Sequence, residues 1–340
     1  MNKDNNTDLH SRLLYIDYVR GLAMVLVIAG HVNFGHIFSN FIHLFHIPIF
    51  YYISGYLFNG LKQISFQSFI SKKINSLIIP YLFFGICHVL LFYILVKIGF
   101  YTFPKHSWYY YLFLLNTSDC QIMGIQWFLT SFFWMHIFIF FIYKISKAFI
   151  KYSIIILLTT IGIYYQSFLY HQLPLALGSS LVGIGLFALG NIYRKFEPRF
   201  SRKHCIAILF IITLYLYLFI QYGITINMRT ENYMRGGCLI FTVFFCAYLV
   251  HFTKMIETKF NKDNPILKEI AFIGKNSIVY LCLNEINIIV YKHLFDLVKI
   301  PIFFNRILVL IFTLITLHYL TCVFNNTPLR MVLGKFEFKK

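Results

Sequence analysis

Ten long apolar segments, each separated from the next by a short polar stretch, account for most of this chain. A membrane-spanning helix needs about 20 mostly apolar residues, and each segment is close to that length. The pattern therefore predicts an all-α polytopic membrane protein with about ten transmembrane helices. The predicted segments are Leu13–Phe34, Phe41–Leu61, Leu77–Val96, Trp127–Tyr143, Ser153–Tyr170, Leu173–Tyr193, Cys205–Gly223, Gly237–Phe252, Phe272–Tyr291 and Phe304–Val323.

The composition supports the same class of protein. Of the 340 residues, 59% are hydrophobic and only 12% are charged, whereas a soluble domain has about 25% charged residues. The first twelve residues are polar and have no apolar core, so the first helix must itself serve as the insertion signal. We expect a single membrane domain over residues 1–340, with cytoplasmic tails at 1–12 and 324–340 and no soluble second domain.

The formal net charge of +18 is informative because of where the basic residues lie along the chain. The basic residues lie in the connections between apolar segments, and most of them fall on the inside if the N-terminus is inside. The positive-inside rule then predicts that both termini are cytoplasmic and that anionic membrane lipids, rather than nucleic acid, are the partner of these charges. The seven cysteines form no C-x-x-C motif, so we interpret them as packing residues.

Three ionisable residues interrupt the first apolar segment. Arg20 and His31 have ten residues between them, which places both on one helix face and about 16 Å apart along the axis. Asp17 lies three residues before Arg20, within reach of an intrahelical ion pair. An Arg in mid-membrane costs at least about 2.5–3.5 kcal/mol, so this face must look into the protein or a wet cavity. Such groups indicate a functional site, the alternative being a buried pair that joins helices.

The second segment carries His43 and His46 near its predicted outer end, level with His31. Pro48 cannot donate a hydrogen bond to the carbonyl of Leu44, which favours a kink beside His46. The spacing of the two histidines also suits a metal ion. No carboxylate or cysteine nearby completes a set of ligands, and we therefore expect no metal site.

These two blocks resemble the corresponding blocks of membrane acyltransferase family 3. The matching residues are Asp17, Arg20, Gly21 and His31 in the first block, and Phe45-His46-Ile47-Pro48-Ile49-Phe50 followed by Ser54-Gly55 in the second. Weaker similarity is found over residues 126–129, which include Trp127-Phe128-Leu129, and over residues 186–194 and 273–284. In the last of these, Asn284 stands where the family often has a histidine, which puts an acid–base role at that position in doubt.

The resemblance implies an O-acyltransferase in the cytoplasmic membrane of a bacterium. Its donor would be cytosolic acetyl-CoA or another acyl-CoA, and its acceptor a hydroxyl of a cell-surface polysaccharide or a lipid-linked sugar. His31 would be the catalytic base, because histidine is the usual proton acceptor near neutral pH. Arg20 would bind the phosphate or pantetheine part of the donor, or polarise the acyl carbonyl.

Five further residues are candidates for contacts with substrate or for completing the site. His46 is expected to line it, and Asp17 to hold Arg20. Trp127 follows a long outer loop, Gly99–Ile125, whose aromatic residues either stack on a sugar or form the interfacial belt. Glu285, the one acidic residue in the later segments, either supplies polarity next to Asn284 or bonds to another helix.

Two other classes of protein use buried charges in a membrane. A saccharide or lipid-linked-sugar transporter would have discontinuous helices and two matching halves, and no repeated half is visible in the sequence. A receptor-like or structural protein gives no reason for Arg20 and His31 to share a helix face.

Overall fold

A computed structural model of the chain describes residues 13–61, 64–99, 102, 107–114, 126–169, 172–197, 202–222, 226–230, 238–261, 263–298 and 300–335. These residues are mostly helical. In chain order the helices are α1 Leu14–Val32, α2 His36–His43, α3 Pro48–Tyr56, α4 Phe66–Lys73, α5 Ile79–Lys97, α6 Trp108–Phe113, α7 Trp127–Ile142, α8 Ala148–Leu169, α9 Leu177–Phe196, α10 Arg202–Tyr222, α11 Cys238–Lys259, α12 Pro265–Lys275, α13 Ser277–Asp296 and α14 Ile302–Asn326.

Every predicted apolar segment coincides with helix in the structure. Within the described ranges, eight helical spans are long and apolar enough to cross a membrane. Two shorter apolar helices, Trp127–Ile142 and Lys203–Phe219, match the remaining predicted segments. The prediction of an all-α polytopic membrane protein is therefore confirmed, while the sidedness of its termini stays a prediction.

The boundaries differ where helices are interrupted. The segment predicted as Phe41–Leu61 consists of α2 and α3, because Pro48 begins a new helix after the turn at residues 44–47. A π-helical stretch, Ile74–Ile78, joins α4 to α5. The third span therefore begins at Phe66, earlier than its predicted start at Leu77. The ninth segment is likewise divided between α12 and α13 at Asn276. The last helix continues to Asn326, into the stretch expected to be a tail.

Helix α1 is central to the bundle and packs against α11, α12, α13 and α14. Its closest approach is to α12, where Gly21 lies against the backbone of Ile270 and Gly274 lies against the backbone of Asp17. Neither glycine has room for a β-carbon. Helices that approach this closely hold their side chains at fixed depths, because backbone contacts cannot slide past one another easily.

A second close crossing joins α3 to α9. Gly55 lies against the backbone of Phe187, and Gly190 lies against the backbone of Tyr52. At the end of α3 away from the turn at residues 44–47, the Tyr56 hydroxyl donates to Glu197 across 2.5 Å. Lys254 of α11 forms an ion pair with the same carboxylate. These contacts fix α3, and with it the turn at its start, relative to α9 and α11.

Candidate active site

His31 occupies the last turn of α1 and faces a carboxylate from α13. Its Nδ1 lies 3.3 Å from Oε1 of Glu285. The histidine side chain retains 29% of its accessible surface, whereas that of Glu285 retains 11%. The carboxylate is thus mostly buried, whereas the imidazole is partly exposed.

The contact with Glu285 determines what the imidazole of His31 can do. A carboxylate next to Nδ1 favours the tautomer that carries its proton on that nitrogen, which leaves a basic lone pair on Nε2. The same carboxylate stabilises the imidazolium formed when Nε2 takes up a proton. His31 and Glu285 together therefore have the arrangement of a general base and the group that orients it.

A cavity of about 110 Å³ opens beside this pair. It is lined by Val27, His31, His43, His46, Ile47, Trp127, Asn227, Met228 and Arg229. The lining comes from the end of α1, the turn between α2 and α3, the start of α7 and the connection between α10 and α11. All of these lie at one end of the bundle, which we call the His31 end.

His43 and His46 reach the cavity because the helix is broken between α2 and α3. The ring nitrogens Nδ1 of His43 and His46 each contact a backbone carbonyl one turn earlier, both across 2.5 Å. Donation from Nδ1 leaves Nε2 of each ring as an acceptor. The two rings meet edge to face, with centroids 4.8 Å apart, and His46 is buried while His43 is half-buried.

The break itself is stabilised by a contact that the sequence does not reveal. The carbonyl of Leu44, which has no donor from Pro48, accepts a hydrogen bond from Oγ1 of Thr242 across 2.9 Å. Thr242 is fully buried on α11. The kink predicted beside His46 is present, and its freed acceptor is satisfied by a distant helix.

Trp127 is buried and lines the cavity at the start of α7. The neighbouring Gln126 is also buried, and its Nε2 lies 2.8 Å from Nδ1 of His88. Of the aromatic loop Gly99–Ile125, residues 100, 101, 103–106 and 115–125 lie outside the described residues. Trp108 and Tyr109 at the start of α6 are exposed, so stacking of this loop on a sugar stays a prediction.

The structure does not bring Asp17, Arg20 and Asn284 to the cavity lining. Asp17 is buried near the opposite end of α1, where its backbone contacts Gly274. Asn284 is buried, and its amide donates to the carbonyls of Tyr280 and Leu281 in its own helix. The Asn284 amide thus forms hydrogen bonds within α13. The polar side chain of α13 that contacts His31 is that of the neighbouring Glu285.

Arg20 belongs to a second group of polar residues, about 16 Å along α1 from His31. Arg20 is close enough to Lys73, at the end of α4, for their positive charges to interact. Lys73 in turn interacts electrostatically with His136 of α7. Nδ1 of His136 contacts the carbonyl of Phe132, and its Nε2 lies 3.2 Å from Oγ of Ser54. We call Arg20, Lys73, His136 and Ser54 the inner polar cluster.

Sequence reasoning missed Val27 of α1 and the three residues that line the cavity from the connection between α10 and α11. It also missed the Lys73 and His136 side chains of the inner polar cluster. Asn227, Met228 and Arg229 line the cavity from a short connection. Arg229 carried a weak signal, because it is one of the few basic residues in a connection predicted to lie outside. Residues in a polar connection show no helical periodicity, so the sequence does not indicate which helix end their side chains cover.

The spacing of His43 and His46 suits a metal ion, but the described residues do not add the ligands that a metal site would need. Within the described parts of the chain, no group of three His, Cys, Asp or Glu side chains is arranged to hold a metal ion. His43 and His46 share the cavity with His31. Backbone carbonyls orient the rings of His43 and His46, and Glu285 orients the ring of His31.

A family model described as an acyltransferase domain, that of acyltransferase family 3, matches residues 13–324. The chain belongs to acyltransferase family 3. No curated protein and no solved structure matches it. The family assignment makes the chain a multi-pass membrane acyltransferase and confirms the resemblance seen in its first two apolar segments.

The interrupted helices of this acyltransferase also bear on the transporter alternative. Discontinuous helices are typical of transporters, and here α2 and α3 are interrupted at the cavity. In the acyltransferase the interruption has a different use, since it turns His46 towards His31 and leaves both rings beside one small cavity. The break therefore does not require transport of a substrate.

Proposed function

We propose that this acyltransferase is an O-acyltransferase, with acetyl the group transferred. Its donor is cytosolic acyl-CoA, and its acceptor is a hydroxyl of a cell-surface polysaccharide or a lipid-linked sugar precursor at a bacterial cytoplasmic membrane. The observation that carries the proposal is the 3.3 Å contact between Nδ1 of His31 and Oε1 of Glu285 beside a cavity. A base of this kind suits the attack of a hydroxyl on a thioester.

The proposed reaction uses His31 twice. Nε2 removes the proton of the acceptor hydroxyl as its oxygen attacks the thioester carbonyl carbon. The resulting tetrahedral intermediate collapses, its carbon–sulfur bond breaks, and the proton on Nε2 passes to the departing thiolate of coenzyme A. Glu285 stays ionised throughout and stabilises the imidazolium between the two proton transfers.

The inner polar cluster supports the donor assignment. Arg20 and Lys73 bring two positive charges together from different helices, at the opposite end of α1 from His31. No carboxylate of the described residues lies within ion-pair distance of Lys73. Like charges held in proximity favour binding of an anion, and coenzyme A carries phosphates at the end remote from its thioester. The pantetheine arm would then lead along α1 towards His31.

Incubation of the purified protein with acetyl-labelled acetyl-CoA tests the proposed function. We expect release or transfer of the label by the wild type and none by His31→Ala. His36→Ala is the matched control, because His36 is exposed on α2 near the same end and is not among the cavity-lining residues. Near-normal turnover by a folded His31→Ala protein would contradict the assignment. Absence of turnover by the wild type would contradict acetyl-CoA as the donor of this acyltransferase.

A further inference from the structure

Two basic side chains flank His31 at the cavity. Arg229 lines the cavity, and it is close enough to His31 and His43 for its positive charge to interact electrostatically with both rings. Lys292 on α13 donates from Nζ to the backbone carbonyl of His31 across 3.3 Å, and its charge also acts on that ring. We call Arg229 and Lys292 the basic rim.

Two acidic groups of the described residues, Glu285 and Asp296, lie near the basic rim, and neither lines the cavity. Glu285 contacts Nδ1 of His31, on the side of the ring away from the proposed reacting nitrogen. Asp296 accepts a hydrogen bond from Nδ2 of Asn305 across 2.9 Å, and its charge also acts on Lys292. None of the described residues that line the cavity carries a carboxylate. With neutral imidazoles, Arg229 is the one permanently charged residue among these described lining residues.

The position of Arg229 is set by its own connection. Oδ1 of Asn227 accepts from the backbone N–H of Arg229 across 3.0 Å, and Thr230 donates to the same oxygen. The hydroxyl of Ser179, fully buried on α9, donates to the carbonyl of Met228 across 2.7 Å. These bonds attach the connection to α9, so the arginine is presented to the cavity by a fixed backbone.

We propose that the basic rim recognises an anionic group, a carboxylate or a phosphate, on the acceptor sugar close to the hydroxyl that is acylated. This inference rests on the proposed function. The planar guanidinium of Arg229 can bind either anion through two parallel hydrogen bonds. An acceptor whose hydroxyl reaches Nε2 of His31 would bring its neighbouring substituent to Arg229. Lys292 attracts the same anion without sharing the cavity lining.

Paired acceptors test the proposal with purified protein and labelled acetyl-CoA. A methyl hexoside is compared with the matching methyl uronoside, which adds a carboxylate, and with the matching sugar phosphate, which adds a phosphate. We expect wild-type kcat/KM to favour at least one anionic acceptor over the neutral one by about tenfold to a hundredfold, the range of a charge-assisted hydrogen bond. Which acceptor is preferred identifies carboxylate or phosphate as the group recognised.

Variants then assign the preference to Arg229. Arg229→Gln should reduce the anionic-to-neutral ratio of kcat/KM towards one, mainly through KM for the anionic acceptor. Arg229→Lys should retain part of the ratio because the charge is kept. Lys97→Gln is the control, since Lys97 is exposed at the end of α5 and should leave the ratio as in the wild type.

Several results would overturn the basic rim as an anion-binding site. One is a wild type that turns over acetyl-CoA but prefers the neutral hexoside. Another is an equal loss on all acceptors in a folded Arg229→Gln protein, which would indicate stabilisation of the reaction's oxyanion instead. A raised KM for acetyl-CoA alone would assign Arg229 to the donor. If the wild type does not turn over acetyl-CoA at all, the proposed function fails together with the inference.

Discussion

Thr242 and Leu44 are joined by a hydrogen bond of 2.9 Å that links α11 to the break between α2 and α3. The acceptor is the carbonyl that Pro48 cannot satisfy, and the donor is a fully buried hydroxyl. Two residues beyond Leu44 lies His46, whose ring lines the cavity. The bond therefore connects the stability of the bundle to the geometry of the candidate site.

Replacement of Thr242 by valine should reduce both stability and turnover. The change keeps the side-chain shape but leaves the buried carbonyl without its donor, at a cost of about 1–3 kcal/mol. We expect a lower midpoint of thermal unfolding in detergent and a reduced kcat for acetyl transfer. Thr253→Val is the control, because Thr253 is also buried on α11 but its hydroxyl donates only to carbonyls of its own helix. Equal effects of the two variants would contradict a special role for the Leu44 contact.

Replacement of Glu285 by glutamine should lower kcat more than it lowers stability. The amide cannot stabilise the imidazolium of His31, and it allows the wrong tautomer of the ring. We expect a loss of about tenfold to a thousandfold in kcat with a smaller change in the KM for acetyl-CoA. Steady-state kinetics on the purified protein measure both values.

A second histidine–glutamate pair provides the control for that measurement. Nδ1 of His318 lies 2.8 Å from Oε1 of Glu269, between α14 and α12 and apart from the cavity lining. Glu269→Gln removes a similar contact and should lower thermal stability while kcat stays near the wild-type value. A kcat for Glu285→Gln that matches the kcat of Glu269→Gln would refute the orienting role of Glu285.

Local sequence pattern was sufficient to predict the helices, because each span needs its own run of apolar residues. It was also sufficient to identify the kink at Pro48, whose effect on the chain is local. It could not show that Glu285 meets His31 or that Thr242 meets Leu44. Those contacts join helices far apart in sequence, and they depend on how the helices pack rather than on any period within them.

The interruptions of the helices were predicted only in part. Asn276, which separates α12 from α13, donates to the carbonyl of Phe272 and accepts from Asn325 of α14. An asparagine is compatible with a helix, and its use as a break depends on that partner. The π-helical stretch after Lys73 has no such single residue.

Lys73 and its neighbour Lys72 allow a matched test of whether the inner polar cluster binds the acyl donor. Lys73, a member of the inner polar cluster, is half-buried, whereas Lys72 is exposed one residue earlier. If the cluster binds the phosphates of coenzyme A, Lys73→Gln should raise KM for acetyl-CoA by about tenfold or more, the scale of one charge-assisted hydrogen bond. Lys72→Gln should change it little, and equal changes would reduce the effect to general surface charge.

Arg20→Lys separates a ligand role of Arg20 from a structural one. Lysine keeps the charge but lacks the planar fork that binds a phosphate through two hydrogen bonds. A ligand role predicts a raised KM for acetyl-CoA in a protein of normal thermal stability. A lower unfolding temperature with unchanged kinetics would instead assign Arg20 to holding the helices together.

The sidedness of the reaction is the strongest consequence of combining the charge pattern with the geometry. The positive-inside rule predicts a cytoplasmic N-terminus, and α1 would then carry Arg20 in its inner half and His31 in its outer half. With this orientation the cavity elements at the His31 end, including Trp127 and Arg229, would lie towards the outside. If acetyl-CoA is the donor, we expect its thioester to approach His31 from the cytoplasmic side, because coenzyme A is too polar to cross lipid, and we expect the acceptor to approach from outside.

Sealed vesicles of known orientation measure this arrangement directly. Labelled acetyl-CoA should be used only when it is supplied at the cytoplasmic face, and acetylated sugar should form only at the opposite face. The acetyl group crosses the membrane in this arrangement, and coenzyme A does not. The arrangement is wrong if product forms on the same face as the donor, or if a tag at Asn2 is accessible from outside intact cells. His31→Ala vesicles are the control, since label that reaches the outer face without His31 would reflect leakage rather than transfer.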